Sequence, residues 1–290
     1  MTSITGSIKK YLSFVKFTHT IFAMPFAFIG YSLAVSLDEY TFSLRLLALV
    51  ILCMVFARNA AMGFNRYADR RFDALNPRTS ERDIPAGRIG PKAAVFFVAV
   101  NVILFITTTV FINRLTLYLS PVALIVVLGY SLTKRFTSLC HFILGLGLSL
   151  APIGAYISVT GSFSLVPVIY SFIVLSWTAG FDIIYALQDD EFDKSNRLHS
   201  IPSLKGKKRA LLISALVHFL TFLLVIFAGI AGGAGYIYWM GAAIFTGLLI
   251  YQHTIVKHDD LTKVTLAFQT TNGVGSVLFA VFVISDLLMR

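Results

Sequence analysis

The chain has 290 residues, 57% of them hydrophobic and 13% charged, with a mean hydropathy of +0.80. So little polar surface cannot cover a water-soluble globule of this size. The formal net charge of +10 does not point to nucleic acid either, because such a binder needs its basic residues on a water-facing surface; membrane topology accounts for the charge instead.

The N-terminal stretch 1-16 carries Lys9, Lys10 and Lys16 ahead of an apolar run long enough to span, with no A-x-A-like cleavage site behind it. It reads as a first helix and not as a removed signal. Runs of about 20 apolar residues, the length that crosses a hydrocarbon core of roughly 30 Å, fall at 17-37, 44-64, 93-112, 115-132, 139-159, 163-184, 210-230, 233-251 and 266-288. Short polar segments separate them, and no long alternating pattern suggests strands, so the expected fold is an all-α, polytopic membrane bundle forming a single domain over 1-290. Cys53 and Cys140 lie far apart in apolar surroundings without metal-ligand spacing and read as core residues.

Lys and Arg distribute unevenly about these spans. Three lie in the N-terminus, seven in 65-92, two in 133-138, six in 185-209 and two in 252-265, whereas the opposite side receives Arg45, Arg114 and Arg290. Basic loops resist translocation, so the N-terminus and the loops after the second, fourth, sixth and eighth spans are expected in the cytoplasm. Two of those loops also carry most of the acids: Asp69, Asp73, Glu81 and Asp83 after the second span, and Asp182, Asp189, Asp190, Glu191 and Asp193 at the end of the sixth. An even number of spans separates the clusters, so they emerge on one face and hint at a duplicated helix pair.

In the first cluster Asn65, Asp69 and Asp73 recur every four residues and would line one helical stripe. A bare DxxxD equally fits a solvated helix end whose acids pair with Arg66, Arg70 and Arg71. In the second cluster Asp182, Asp189 and Asp193 keep to one stripe by offsets of seven and four, and Asp182 follows a long apolar run, where an unpaired carboxylate usually marks a functional site. Two facing rows of like charge repel unless a cation lies between them, and Mg²⁺, which takes a few carboxylates together with phosphate oxygens, suits the task. Lys134 and Arg135, at the helix end after the fourth span, fit direct contacts to a diphosphate or plain interfacial anchoring, and Arg70, Arg71, Arg78 and Arg82 are further phosphate candidates. Arg58, two turns deeper than Asn65, either pairs with a carboxylate of the protein or binds an anionic acceptor. His19, His141, His218 and His253 are expected to pack.

These residues resemble the UbiA superfamily of intramembrane aromatic prenyltransferases over nearly the whole chain. The stretch 16-27 looks like its opening helix, Asn65 to Asp73 matches NxxxDxxxD, Tyr130 to Thr137 matches the YxxxKR-type loop, and Asp182 to Asp193 matches the second aspartate motif. The resemblance implies nine transmembrane helices around a central cavity. It also implies Asn65, Asp69, Asp73, Asp182, Asp189 and Asp193 as the metal and diphosphate set, with Asp69, Asp73, Asp182 and Asp189 catalytic. Lys134 and Arg135 would hold the diphosphate, Tyr185 joins them as a substrate contact, and Arg58 falls where relatives place an arginine facing the active site.

The closest subgroup looks like the 4-hydroxybenzoate polyprenyltransferases, although 76-87 also resembles menaquinone-pathway relatives that prenylate a dihydroxynaphthoate. Arg66 stands where many 4-hydroxybenzoate enzymes carry Asp. The implied reaction, in respiratory quinone biosynthesis, ionises a polyprenyl diphosphate with the help of Mg²⁺, and the electron-rich ring of an aromatic acid attacks the allylic cation. The expected partners are polyprenyl diphosphate, the aromatic acid and the bilayer, with no nucleic acid, at a cytoplasm-facing site in a bacterial inner membrane. Two rivals remain: an ion-coupled transporter, and transfer to another acceptor such as haem or a chlorophyll-type ring.

Overall fold

Several long helices begin where the sequence offers a cap or a fixed backbone angle. Ser43 Oγ accepts a hydrogen bond from the Leu46 amide at 3.3 Å, and Asn113 Oδ1 accepts one from the Thr116 amide at 2.8 Å. Pro91 occupies a first helical turn, where its missing N–H leaves no acceptor wanting. The protein is described by a computed structural model covering residues 14–15 and 22–290, so 17-21 of the first predicted span, Lys9, Lys10, Lys16 and His19 lie outside the described residues.

The long helices are α1 (Met24–Ser36), α2 (Leu44–Ala68), α4 (Pro91–Val110), α5 (Arg114–Thr133), α6 (Cys140–Thr160), α7 (Leu165–Ala186), α10 (Lys207–Ala231), α11 (Tyr236–Ile255) and α12 (Asn272–Leu288), with a π turn over Leu266–Thr271 before α12. Three short helices, α3 (Arg70–Leu75), α8 (Asp190–Ser195) and α9 (Ile201–Lys205), lie in the loops. Among the described residues there are no strands, and the protein is an all-α integral membrane protein. Each predicted span falls on a helix, but only seven have the length and apolarity of a crossing segment among those residues. The two others are α1, which has 13 described helical residues, and α11, whose apolar character is diluted by Tyr236, Tyr238, Gln252 and His253.

The bundle is uneven. On one side α1, α7, α10, α11 and α12 close around a buried aromatic cluster, in which Trp177 lies 5.3 Å from Phe26 and 5.9 Å from Phe245, while Phe245 stacks on Phe279 at 4.8 Å. Such pairs are worth about 0.5–1.5 kcal/mol beyond their buried area. On the other side α2, α4, α5 and α6 enclose an apolar cavity. The expected central cavity is therefore bounded mainly by four helices, because the aromatic side chains fill the remaining interior.

Small residues set the close helix contacts, as they must where lipid gives no hydrophobic drive to association. A Cβ at Gly145 of α6 would collide with the Leu175 carbonyl of α7, and one at Gly30 of α1 with the Pro152 carbonyl of α6. Backbone cannot move aside as a side chain can. Gly145→Leu is expected to lower the thermal midpoint in detergent through overpacking of about 1–3 kcal/mol; an unchanged midpoint would show that α6 and α7 do not depend on this approach.

Candidate active site

At one end of the bundle α2 and α7 each break before a short acidic helix. Asp69 (φ −87°, ψ 3°) separates α2 from α3, and a single 3₁₀ turn, Leu187–Asp189, ending in Asp189 (φ −105°, ψ 7°), separates α7 from α8. Both aspartates thus occupy the sparsely populated bridge region, where active-site residues often sit. The continuous stripe expected for Asp182, Asp189 and Asp193 is interrupted by this turn, which re-aims the last two carboxylates.

The consequence is one cavity of about 210 Å³ lined by Asn65, Asp69 and Asp73 from the first motif and by Asp182, Asp189 and Asp193 from the second. Lys134, Arg135 and Tyr185 line it as well. Arg58 does not.

Cations thread the two acidic rows together. Arg78 grips Asp189 in a bidentate manner, Nε to Oδ1 at 2.9 Å and Nη2 to Oδ2 at 2.5 Å, and its Nη1 donates to Tyr185 Oη at 2.9 Å. Asn76 Nδ2 donates to the same Asp189 Oδ1 at 3.0 Å. Arg82 Nη1 donates to Asp73 Oδ1 at 2.6 Å, Lys134 Nζ lies 2.8 Å from Asp193 Oδ1, and Arg135 Nη2 lies 3.3 Å from Asp69 Oδ1. Ser200 Oγ donates to Asp193 Oδ2 at 2.8 Å, and Asn65 Nδ2 to Asp69 Oδ2 at 3.0 Å. The acids therefore pair with Arg78, Arg82, Lys134 and Arg135, and not with Arg66, Arg70 and Arg71 as the solvated-helix reading would have it.

Burial and then the neighbouring Asp73 carboxylate push the Asp69 carboxyl above the usual range, with Arg135 pulling it part of the way back. Burial works against the Lys134 ammonium, but the adjoining Asp193 carboxylate outweighs it and holds the amine above its ordinary value. Lys134 thus stays charged at neutral pH.

Among the described residues no three carboxylate, histidine or cysteine groups stand close enough to hold a metal ion as they are, since each inner carboxylate faces a basic side chain. The donor set nevertheless suits a hard cation: oxygen ligands of both motifs share one cavity, and Asp73 Oδ2 is buried without a hydrogen-bond partner. A buried carboxylate oxygen left unpaired is costly and marks room for a cation.

Beside this cavity, and sharing Tyr130 and Leu144 with it, lies the apolar cavity of about 310 Å³. Arg58 lines its wall among Met54, Ala57, Ala61 and Phe105. Its Nε is buried without a partner, and no described carboxylate lies within ion-pair distance. Of the two readings of Arg58, the one in which a carboxylate of the protein neutralises it fails among the described residues.

His141, expected to pack, does more. Its Nδ1 lies 2.7 Å from Asp182 Oδ2, while the Ile201 amide donates to its Nε2 at 3.2 Å. An N–H aimed at Nε2 requires a lone pair there, so the geometry assigns the ring proton to Nδ1, donating to Asp182. A lone histidine at the start of an apolar span carries no sign of this pairing, which joins residues 41 positions apart. Asn76 was equally unmarked, although its place between the two acidic motifs and just ahead of Arg78 is a weak signal.

A family model described as the UbiA prenyltransferase family matches residues 23–280. A 4-hydroxybenzoate octaprenyltransferase of Tolumonas auensis is 32% identical over 235 residues, covering 81% of this chain and 82% of that protein. Among solved structures, the apo structure of a UbiA homolog from Aeropyrum pernix K1 has a TM-score of 0.80 and 30% identity, covering 93% of this chain and 97% of the other. A UbiA homolog from Archaeoglobus fulgidus bound to DMAPP and Mg²⁺ shares the fold, with a TM-score of 0.72 and 20% identity over 97% of this chain and 100% of that one.

Proposed function

The chain belongs to the UbiA prenyltransferase family, and from that premise we propose that it transfers a polyprenyl group from its diphosphate to the ring of an aromatic acid of the 4-hydroxybenzoate type, in respiratory quinone biosynthesis. The observation that carries this reading is the convergence of Asn65, Asp69, Asp73, Asp182, Asp189 and Asp193 with Lys134 and Arg135 on one cavity. The transporter reading ends with the family assignment. The name of the Tolumonas relative favours 4-hydroxybenzoate over a dihydroxynaphthoate or a larger ring.

In this reading the six oxygen-bearing residues would hold Mg²⁺ beside the diphosphate. When bound, Mg²⁺ neutralises charge that develops on the leaving group. Lys134 and Arg135, which lie beside Asp193 and Asp69, would supply direct cations to the same oxygens. Tyr185, fixed by Arg78 and stacked at 4.1 Å on Phe268, closes one side of the head-group cavity. The isoprenoid chain lies in the apolar cavity, whose wall excludes water that would quench an allylic cation. Arg58 holds the acceptor carboxylate and sets the ring beside the allylic carbon near Tyr130. The ring carbon takes the prenyl group and then loses its proton to regain aromaticity. The charge asymmetry supports an inner-membrane location with this end toward the cytoplasm.

The test is incubation of purified protein with geranyl diphosphate and a panel of hydroxybenzoates and dihydroxynaphthoates, with and without Mg²⁺, read by mass. A prenylated hydroxybenzoate formed only with Mg²⁺ is the expected product. Geranyl diphosphate left intact with every acceptor would sink the reading.

The tautomer assigned to His141 makes it a positioning residue for Asp182. His141→Ala is expected to lower kcat about tenfold to a hundredfold and to raise the Mg²⁺ concentration needed for half-maximal rate. His141→Asn, whose amide N–H replaces the Nδ1 donor, restores part of both. Loss of fold stability without a change in the Mg²⁺ requirement would reduce His141 to a packing role.

A further inference from the structure

Helix α3 has two chemically opposite faces. Asp69 and Asp73, a helical turn apart, look into the head-group cavity, whereas Arg70 and Arg71 follow Asp69 at about 100° and 200° around the axis and look outward. There they line a concavity of about 540 Å³ together with Arg135, Arg197 and Asn196. Four guanidinium groups thus surround one hollow, with no carboxylate in its wall.

Of the four, only Arg135 has a carboxylate partner among the described residues, Asp69 on the far wall. Arg71 and Arg197 make no ion pair or side-chain hydrogen bond among the described residues, and the undescribed positions contain no Asp or Glu. Arg70 donates to the Tyr67 carbonyl at 2.6 Å and lies over the Tyr67 ring at 4.2 Å, leaving its remaining N–H groups free to bind. Arg197 takes the left-handed position that ends α8, at φ +55°, where its amide donates to the Lys194 carbonyl at 3.3 Å and the Leu198 amide to the Asp193 carbonyl at 2.8 Å, so its side chain is set at the mouth of the hollow by the helix end. The rim adds exposed apolar surface from Leu75 beside Phe72. Arg135 belongs to both walls, since its Nη2 donates to the Ala68 carbonyl at 2.8 Å on the way to Asp69.

We propose that this hollow is a second phosphate-binding site, separate from the cavity that takes the donor diphosphate and joined to it through Arg135. Forked guanidinium groups match phosphate oxygens in pairs, and the three without a carboxylate partner among the described residues, Arg70, Arg71 and Arg197, together favour a multiply charged or surface-held anion. Two sources share that chemistry: the head group of an anionic lipid, whose acyl part would lie along Leu75 and Phe72, and the free diphosphate that the reaction releases. Only the second source rests on the prenyl-transfer reading.

The test uses the full protein in phosphatidylcholine nanodiscs and the double variant Arg71→Gln/Arg197→Gln, whose side chains lie outside the catalytic cavity. One arm counts phosphatidylglycerol molecules retained in native mass spectrometry; the other titrates inorganic pyrophosphate by calorimetry. The variant is expected to bind one of these probes at least about tenfold more weakly than the wild type, with Arg71→Lys/Arg197→Lys regaining most of the loss. A loss confined to phosphatidylglycerol assigns the site to lipid, and one confined to pyrophosphate assigns it to the leaving product. Wild-type affinity for both probes in the glutamine variant overturns the proposal. Neither titration requires turnover, so failure of prenyl transfer and failure of this site are read separately.

Discussion

Asp189→Asn is expected to reduce prenyl transfer by roughly a hundredfold to a thousandfold while the protein still inserts and elutes as the wild type does. The substitution keeps the shape of the side chain and an Oδ1 for the Asn76 amide to bond, so local structure survives. What disappears is the charge proposed to hold a cation against the diphosphate, which also grips Arg78 through two hydrogen bonds. The Arg78 side chain is 32% exposed, so its freed guanidinium finds water and the loss of stability stays small. Activity and stability therefore separate, as they must if the carboxylate serves the reaction and not the fold. A variant retaining more than about a tenth of wild-type turnover would remove Asp189 from the metal set, because a direct ligand contributes more than the 10–100-fold typical of outer residues.

Arg58→Leu should split the same two properties in opposite directions. A guanidinium facing an apolar cavity without a carboxylate partner destabilises the empty protein, so leucine is expected to raise the thermal midpoint. The same change removes the group proposed to hold the acceptor carboxylate through a forked contact, and the acceptor KM is expected to rise by about 10–100-fold, as loss of a charge-assisted bond worth about 1.5–3 kcal/mol implies. The KM for prenyl diphosphate should stay near its wild-type value, since Arg58 lies outside the head-group cavity. Steady-state kinetics in each substrate and a melting curve decide it. An unchanged acceptor KM would detach Arg58 from the acceptor.

Together these variants probe the division of labour between the two cavities, which meet at Tyr130 and Leu144. In the proposed reading the charged head of the donor is handled by side chains in the loops at one end of the bundle. The apolar cavity among α2, α4, α5 and α6 is proposed to take the chain, and the opposite side of the bundle is filled by aromatic side chains.

Much of the site was legible in the amino-acid sequence because its parts are local. Asn65, Asp69 and Asp73 stay together as one motif across the junction of α2 and α3, and the Lys134–Arg135 pair sits at the end of α5 as expected. The partners of those groups were not legible. Arg78 and Asp189 are 111 residues apart, and His141 and Asp182 are 41 apart, so no spacing rule connects them. The 3₁₀ turn at Leu187–Asp189 was also invisible, since offsets of seven and four read as an unbroken helix.

A run of apolar residues in lipid must satisfy its own backbone hydrogen bonds, and this requirement, with the acids confined to two loops, determined from sequence alone an all-α membrane bundle bearing its chemistry at one end. Tertiary structure decided which cation neutralises which carboxylate, that Arg58 faces an apolar cavity with no counter-ion among the described residues, and that α3 presents its arginines to a separate hollow. Those outcomes depend on how helix ends approach one another in space, and Coulomb attraction acts across that space without regard to order along the chain.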